Sequence, residues 1–226
     1  MLVRLAIQTV ISSAIMAAIL LGAADDWGWP QGWTYMGEVF ALSIASAAWL
    51  WFNDRALLEA RLSSPFRRKD QRPKDLAIIA VFGVVMIGWL ALMGVDARRF
   101  MWTSVPLVGQ IAGAVLVGAG MVLVWETYRA NTFATTQVRV QTERAQTVVD
   151  SGPYRYIRHP MYAGMTLYMI GSPLMLSSLW GLAVVPVMFI LLALRTLGEE
   201  QVLKTDLAGY AEYMTKTPWR IIPGIW

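Results

Sequence analysis

One stretch of this sequence, "SGPYRYIRHPMYAG", holds the chain's single histidine, His159, in the company of Tyr154, Arg155, Arg158, Pro160, Tyr162 and Gly164. Proline fixes its own φ and drives the preceding residue out of the helical region, so Pro160 suits the first position of a helix and His159 its cap. Unpaired N–H groups and the positive end of the helix dipole gather at such a start. With Arg155 and Arg158 close by, the position attracts a carboxylate or phosphate, and its field favours neutral imidazole. His159 and its arginines equally suit juxtamembrane anchors on lipid phosphates. Further on, "RTLGEE" places Arg195 and Glu199 one helical turn apart, where they can pair, and turns Glu200 about 100° away from Glu199. One glutamate is then structural and the other free, or the group is a surface ion pair at a helix end. If the chain between the two clusters folds back on itself, donors around His159 face acceptors at Glu199 and Glu200, and a small zwitterion fits between them.

The elements that must achieve this are written in the hydropathy. Hydrophobic residues make up 57% of the 226 and charged ones 15%, and the charges are bunched between long uncharged runs, as in a chain that spans a bilayer. The stretches 5–24, 76–95 and 100–125 each cover the roughly 20 residues that an apolar layer about 30 Å thick requires. A fourth, 39–52, reaches full length when its start moves back toward "WPQGW", with Trp27, Trp29 and Trp33 at an interface. The uncharged run 159–194 is too long for one span and carries Gly171, Pro173, Ser177, Ser178 and Gly181 near its middle, which predicts a helical hairpin with short or tilted arms. After it, Leu203, Leu207, Tyr210, Ala211 and Met214 keep the period of an amphipathic helix docked at the interface. The expected fold is therefore all-α: a polytopic integral membrane helical bundle with a C-terminal hairpin and an amphipathic interfacial helix.

Six crossings starting from the cytoplasm leave every one of the 19 lysines and arginines inside except Arg98 and Arg99, as the positive-inside rule requires. Both termini are then cytoplasmic, and the expected setting is a bacterial inner membrane. The N-terminal run has no small-residue cleavage signal and reads as a retained helix. The basic connection 53–75 suits a loop lying on anionic lipid. The connection 131–158 is longer than most loops of compact domains and leads straight to His159. With no cysteine and one histidine, disulfide, thiolate and metal chemistry are not expected, and no nucleic-acid signature appears. Tyr154, Tyr156, Tyr162, Tyr210 and Tyr213 suit an interfacial belt.

In this order and spacing, "SGPYRYIRHPMYAG", the hairpin, "RTLGEE", "GYAEYM" and a closing "PWRIIPGIW" resemble the integral-membrane methyltransferases that include isoprenylcysteine carboxyl methyltransferase and the phospholipid N-methyltransferases. The resemblance covers about 131–226. Residues 1–130 share with that family only a bundle of spans, so the chain divides into N-terminal transmembrane helices, 1–130, and a catalytic region, 131–226. Arg158, His159, Pro160, Tyr162 and Gly164 match the family's Arg-His-Pro-x-Tyr-x-Gly element, and Glu199 with Glu200 its paired acids. The resemblance implies S-adenosylmethionine as methyl donor, in a pocket of the C-terminal half rather than a soluble Rossmann domain. It also implies Tyr154, Arg158, His159, Tyr162, Gly164 and Glu199 as cofactor contacts, and Arg195 and Glu200 as the catalytic pair on the acceptor side.

A sulfonium methyl is already activated, so transfer needs positioning and exclusion of water. A carboxylate acceptor needs no base, whereas an amine must first lose a proton, here to Glu200. Carboxyl O-methylation is thus favoured over N-methylation, on a lipid or isoprenylcysteine-like acceptor arriving through the bilayer. Two alternatives stay open: a nicotinamide-dependent sterol-type reductase with a related C-terminal architecture, and a non-enzymatic protein that uses both clusters to bind lipid head groups.

Overall fold

The computed structural model describes residues 1–63 and 73–226, and all regular secondary structure among them is helical. The helices are α1 (Leu2–Ala24), α2 (Pro30–Asn53), α3 (Arg55–Leu62), α4 (Pro73–Gly94), α5 (Leu107–Ala130), α6 (Pro160–Met175), α7 (Leu179–Asp206) and α8 (Tyr210–Lys216). Of these, α1, α2, α4, α5 and α7 are long and apolar enough to cross a membrane. The protein is a polytopic helical membrane bundle, as the hydropathy predicts.

Local signals account for most of the ends. Pro30 and Pro160 open α2 and α6, where a missing N–H costs nothing. Asp54 caps α3 by accepting from the Leu57 N–H at 2.9 Å, and Ser178 caps α7 by accepting from the Gly181 N–H at 2.9 Å. Between α6 and α7 the chain reverses within 176–178, helped by a left-handed Ser177 with φ 64°.

The most intimate pair is α5 with α6. A Cβ on Gly120 would lie 2.5 Å from the Gly164 carbonyl oxygen, and one on Gly164 would lie 2.6 Å from that of Gly120. Gly113 and Gly171 repeat the arrangement nearer the hairpin turn. Without a side chain at these points the two backbones touch, which is how helices gain dispersion contact where lipid is as apolar as leucine. Around this pair α1, α2, α4 and α7 bury Leu20, Leu21, Tyr35, Trp89, Met93, Met169 and Met188 in one core. The Trp89 indole satisfies its N–H on the Gly181 carbonyl at 2.8 Å.

Two polar ends result. At the hairpin end, α4 continues into a π-helical turn, Val95–Arg99, that carries Asp96 fully inside the protein. Its carboxylate accepts from Thr103 N (3.0 Å), Thr103 Oγ1 (2.7 Å), Ser178 Oγ (2.6 Å) and Trp180 N (3.2 Å), stitching the α4–α5 connection to the hairpin. The opposite end gathers α3, the start of α4, the ends of α5 and α7, the start of α6 and the connection 131–158. This is the site end.

Four expectations change. The stretch 100–125 begins as a helix at Leu107 rather than residue 100, because Pro106 sets its start and Phe100 to Pro106 run irregularly, with Phe100 stacked on Trp102 at 5.1 Å. Of the three tryptophans expected at an interface, Trp27 and Trp33 are exposed and Trp29 is buried against Gly32. Part of 53–75 is the short helix α3, and Arg67, Arg68, Lys69 and Arg72 lie outside the described residues. The amphipathic helix is split: α7 runs on to Asp206, Gly209 turns left-handed at φ 82°, and α8 follows. Its apolar stripe packs on Val140 and Val148 of the 131–158 connection.

Candidate active site

Arg158 and His159 lead into α6 along a stretch of backbone that the C-terminal tail holds. Their backbone N–H groups donate to the Trp219 and Arg220 carbonyls, each at 2.9 Å. The Arg158 guanidinium donates to the Thr217 and Pro218 carbonyls, both at 2.7 Å, and to Glu200 Oε1 at 2.7 Å. Glu200 therefore comes to the His159 cluster as the fold-back requires, but as a buried counter-ion. Its Oε2 accepts from Arg220 Nε at 2.9 Å, and its Oε1 lies 3.3 Å from His159 Nε2. Both oxygens are engaged and the residue does not line the cavity described below, so the placement gives no support to an acceptor-side role for Glu200.

Glu199 is the less buried of the two acids. Its Oε2 accepts from Tyr162 Oη at 2.6 Å and lies 4.0 Å from His159 Nδ1, and the side chain keeps 27% of its exposure. His159 and Tyr162, one helical turn apart, stack with ring centres 5.5 Å apart and planes 6° from parallel. Arg195 does not pair with Glu199. It reaches across to α4, where Nε donates to Asp75 Oδ1 at 3.1 Å, and a terminal nitrogen donates to the Thr136 carbonyl. Its guanidinium carbon sits 5.9 Å from the centre of the Tyr162 ring.

Arg158, His159, Tyr162, Arg195 and Glu199 line a cavity of about 250 Å³, somewhat below the roughly 300–1,000 Å³ usual for small-molecule sites. They form its floor, and the connection 131–158 arches over it. That connection is braced by its own polar groups: Arg144 donates to Thr132 and Gln141, and Gln141 donates to the Phe133 carbonyl at 2.8 Å. Tyr154 joins the wall, accepting from Asn131 Nδ2 at 2.8 Å on its hydroxyl and from Tyr213 Oη at 2.7 Å on its carbonyl. Burial pushes the Tyr154 phenol above its ordinary pKa and Tyr213 up to about 12, so both are neutral hydroxyls at physiological pH.

Gly164 stands apart from the cavity. It lies against Gly120 and Val124 of α5, so its place is in helix packing. The helix start is also poorer in donors than expected, because Pro160 has no N–H and the Tyr162 and Ala163 N–H groups both donate to the His159 carbonyl. Several residues of the site escaped the sequence reading, among them Asp75, which holds Arg195 from behind the cavity wall. Asp75 was hidden inside a basic run, although its place in the first turn of an apolar helix is a signal. Thr136 and Asn131 carried no motif. Tyr210 read as a belt residue, yet its hydroxyl, like Thr136 Oγ1, is buried on the cavity wall without a hydrogen-bond partner. Among the described residues no three His, Asp or Glu side chains gather as a metal site would need.

The fold and site define an integral-membrane protein with a polar, mixed-charge cavity at one end of its helix bundle. Residues 108–208 match the family model described as phospholipid methyltransferase, the family to which the His-Pro element and twin glutamates pointed. That match implies a membrane methyltransferase acting on lipid-type substrates. No curated protein matches the chain.

Proposed function

We propose that the protein transfers a methyl group from S-adenosylmethionine to a lipid or lipidated acceptor, and that the cavity at the site end binds both. The observation that carries this reading is the cavity wall itself. Glu199 presents a carboxylate with only one oxygen engaged, and Tyr210 Oη and Thr136 Oγ1 are buried hydroxyls lacking any partner. Buried polar groups are almost always hydrogen-bonded, so these atoms suit a polar ligand with ammonium and hydroxyl groups. The residues therefore fit the cofactor: Glu199 suits its ammonium or ribose hydroxyls, and His159, Tyr154 and Tyr162 suit its polar contacts.

When bound, the cofactor supplies a sulfonium methyl activated for in-line displacement. The protein's share is position and dryness. Arg195, fixed by Asp75 and the Thr136 carbonyl, keeps its place beside the Tyr162 ring. The braced connection 131–158 keeps water from the cavity. Glu200 acts one layer behind, holding Arg158, His159 and Arg220 in register. Because its oxygens are already engaged, it is a poor base for an ammonium acceptor, which supports carboxyl O-methylation over N-methylation. The site end would face the cytoplasm, with both termini.

The test is incubation of membranes containing the protein with methyl-labelled S-adenosylmethionine and extraction of the lipids. A base-labile labelled lipid is the expected result. Label in a base-stable methylamine would replace O- by N-methylation, and absence of label together with no binding of S-adenosylhomocysteine would overturn the reading.

A further inference from the structure

Among the described residues, all but one of the arginines lining the cavity are paired with a carboxylate. Arg139 pairs with Glu143, Arg158 with Glu200 and Arg195 with Asp75. The remaining cation on the wall is Arg61, in the last turn of α3, and it has no carboxylate partner among the described residues. Its position is nevertheless built. Nη1 donates to the Ala134 carbonyl at 2.8 Å and lies 3.8 Å from Met161 Sδ, and the guanidinium carbon sits 4.3 Å over the Tyr128 ring. These contacts hold one corner and one face of the guanidinium plane. Among the described residues Nε and Nη2 carry no hydrogen bond, and such an edge is shaped to grip an oxyanion in two-pronged fashion. Phe133, Ala134, Met161 and Met165 make the adjoining wall apolar.

Resting on the methyltransferase reading, we propose that Arg61 binds the anionic head group of the acceptor, a carboxylate or phosphate on an amphiphile whose apolar remainder lies along the Phe133–Met161 side. The acceptor and cofactor halves of the cavity are then separate: the cofactor lies toward Glu199 and Tyr210, and the acceptor's anion toward α3. This assigns a role to a residue that the basic connection 53–75 otherwise leaves as a generic lipid contact.

The experiment uses purified full-length protein in a neutral detergent. Thermal stabilisation is titrated with dioctanoyl phosphatidate, with decanoate, and with uncharged dioctanoylglycerol, for the wild type, Arg61→Gln and Arg61→Lys. Glutamine removes the charge and keeps a polar but shorter side chain, and the melting temperature without lipid checks that the fold survives loss of the contacts to Ala134 and the Tyr128 ring. The expected result is stabilisation of the wild type by one of the two anions and not by the neutral lipid. Apparent affinity should weaken at least tenfold in Arg61→Gln, equivalent to about 1.4 kcal/mol, and be partly restored in Arg61→Lys. Which anion acts separates a phosphate from a carboxylate acceptor. Calorimetric affinity for S-adenosylhomocysteine should stay within about twofold in Arg61→Gln. Equal stabilisation of wild type and variant, no stabilisation by either anion, or loss of S-adenosylhomocysteine affinity on mutation would each overturn the assignment. Failure of the wild type to bind S-adenosylhomocysteine sinks the methyltransferase reading instead, and the anion titration still decides the role of Arg61.

Discussion

Arg158 Nε and Glu200 Oε1 meet at 2.7 Å although the residues are 42 positions apart, and both side chains are nearly withdrawn from solvent. The pair joins the start of α6, the end of α7 and the C-terminal tail. Breaking a buried pair by removing one partner typically costs about 3–5 kcal/mol, because the other charge is left without compensation. Glu200→Ala should therefore lower the thermal unfolding midpoint in detergent markedly. Arg220→Ala, whose side chain is more exposed, should lower it less. A Glu200→Ala protein that melts with the wild type would show that the network does not hold the tail.

Glu199 should behave differently from its neighbour. Glu199→Gln is expected to leave the melting temperature nearly unchanged and to weaken S-adenosylhomocysteine binding by about tenfold, the scale of one charge-assisted hydrogen bond. Isothermal titration measures both this variant and His159→Ala, for which weakened binding is likewise expected. Identical affinities across wild type and both variants would move the cofactor elsewhere.

Tyr162→Phe separates two contacts of one residue. The ring stacked on His159 is retained and the hydroxyl bonded to Glu199 is lost. A hydrogen bond to a carboxylate is worth about 1.5–3 kcal/mol, but this one positions Glu199 rather than replacing its charge, so S-adenosylhomocysteine affinity should fall less than in Glu199→Gln. A loss as large as that of Glu199→Gln would mean that the hydroxyl itself touches the ligand.

Gly164→Ala tests the α5–α6 contact. Its Cβ would meet backbone oxygen and a valine methyl inside 3 Å, and overpacking of this kind costs about 1–3 kcal/mol or more. Gly83→Ala, with nothing within 4 Å of the new atom, is the control and should melt with the wild type. Equal melting of the two variants would contradict the close approach.

Asp96→Ala should destabilise the hairpin end, since four donors lose their acceptor at once, and buried donors left unsatisfied cost about 1–3 kcal/mol each. Affinity for S-adenosylhomocysteine, measured below the melting transition, should remain, because the carboxylate lies at the opposite end of the bundle from the cavity. A parallel loss of affinity would show that the two ends are coupled.

What the sequence made legible was local. The His159–Pro160 helix start follows from proline stereochemistry, and the hairpin follows from an uncharged run too long for one crossing. The roles of Glu199 and Glu200 were not legible, because helical geometry gives the angle between two neighbours and not which of them meets solvent. That depended on Arg220, which returns from the tail to occupy Glu200. Asp75 was invisible for the same reason: its partner Arg195 is 120 positions away, and nothing in the basic run around it marks the contact. Gly164 belonged both to a motif and to a packing surface, and only the neighbouring backbone of α5 distinguishes them.

The 16 residues of α6 amount to about 24 Å of helix, some 6 Å less than a typical hydrocarbon layer of about 30 Å. A bilayer must dimple around this one short strut or bury the bend at its tip, and acyl chains of greater length make either choice harder. The hydroxyls of Ser177 and Ser178 at that bend already have protein partners, the former with the Val105 amide and the latter with Asp96, so submersion leaves neither seeking water. Membrane thickness thus becomes a mechanical input to the hairpin whose far end carries His159.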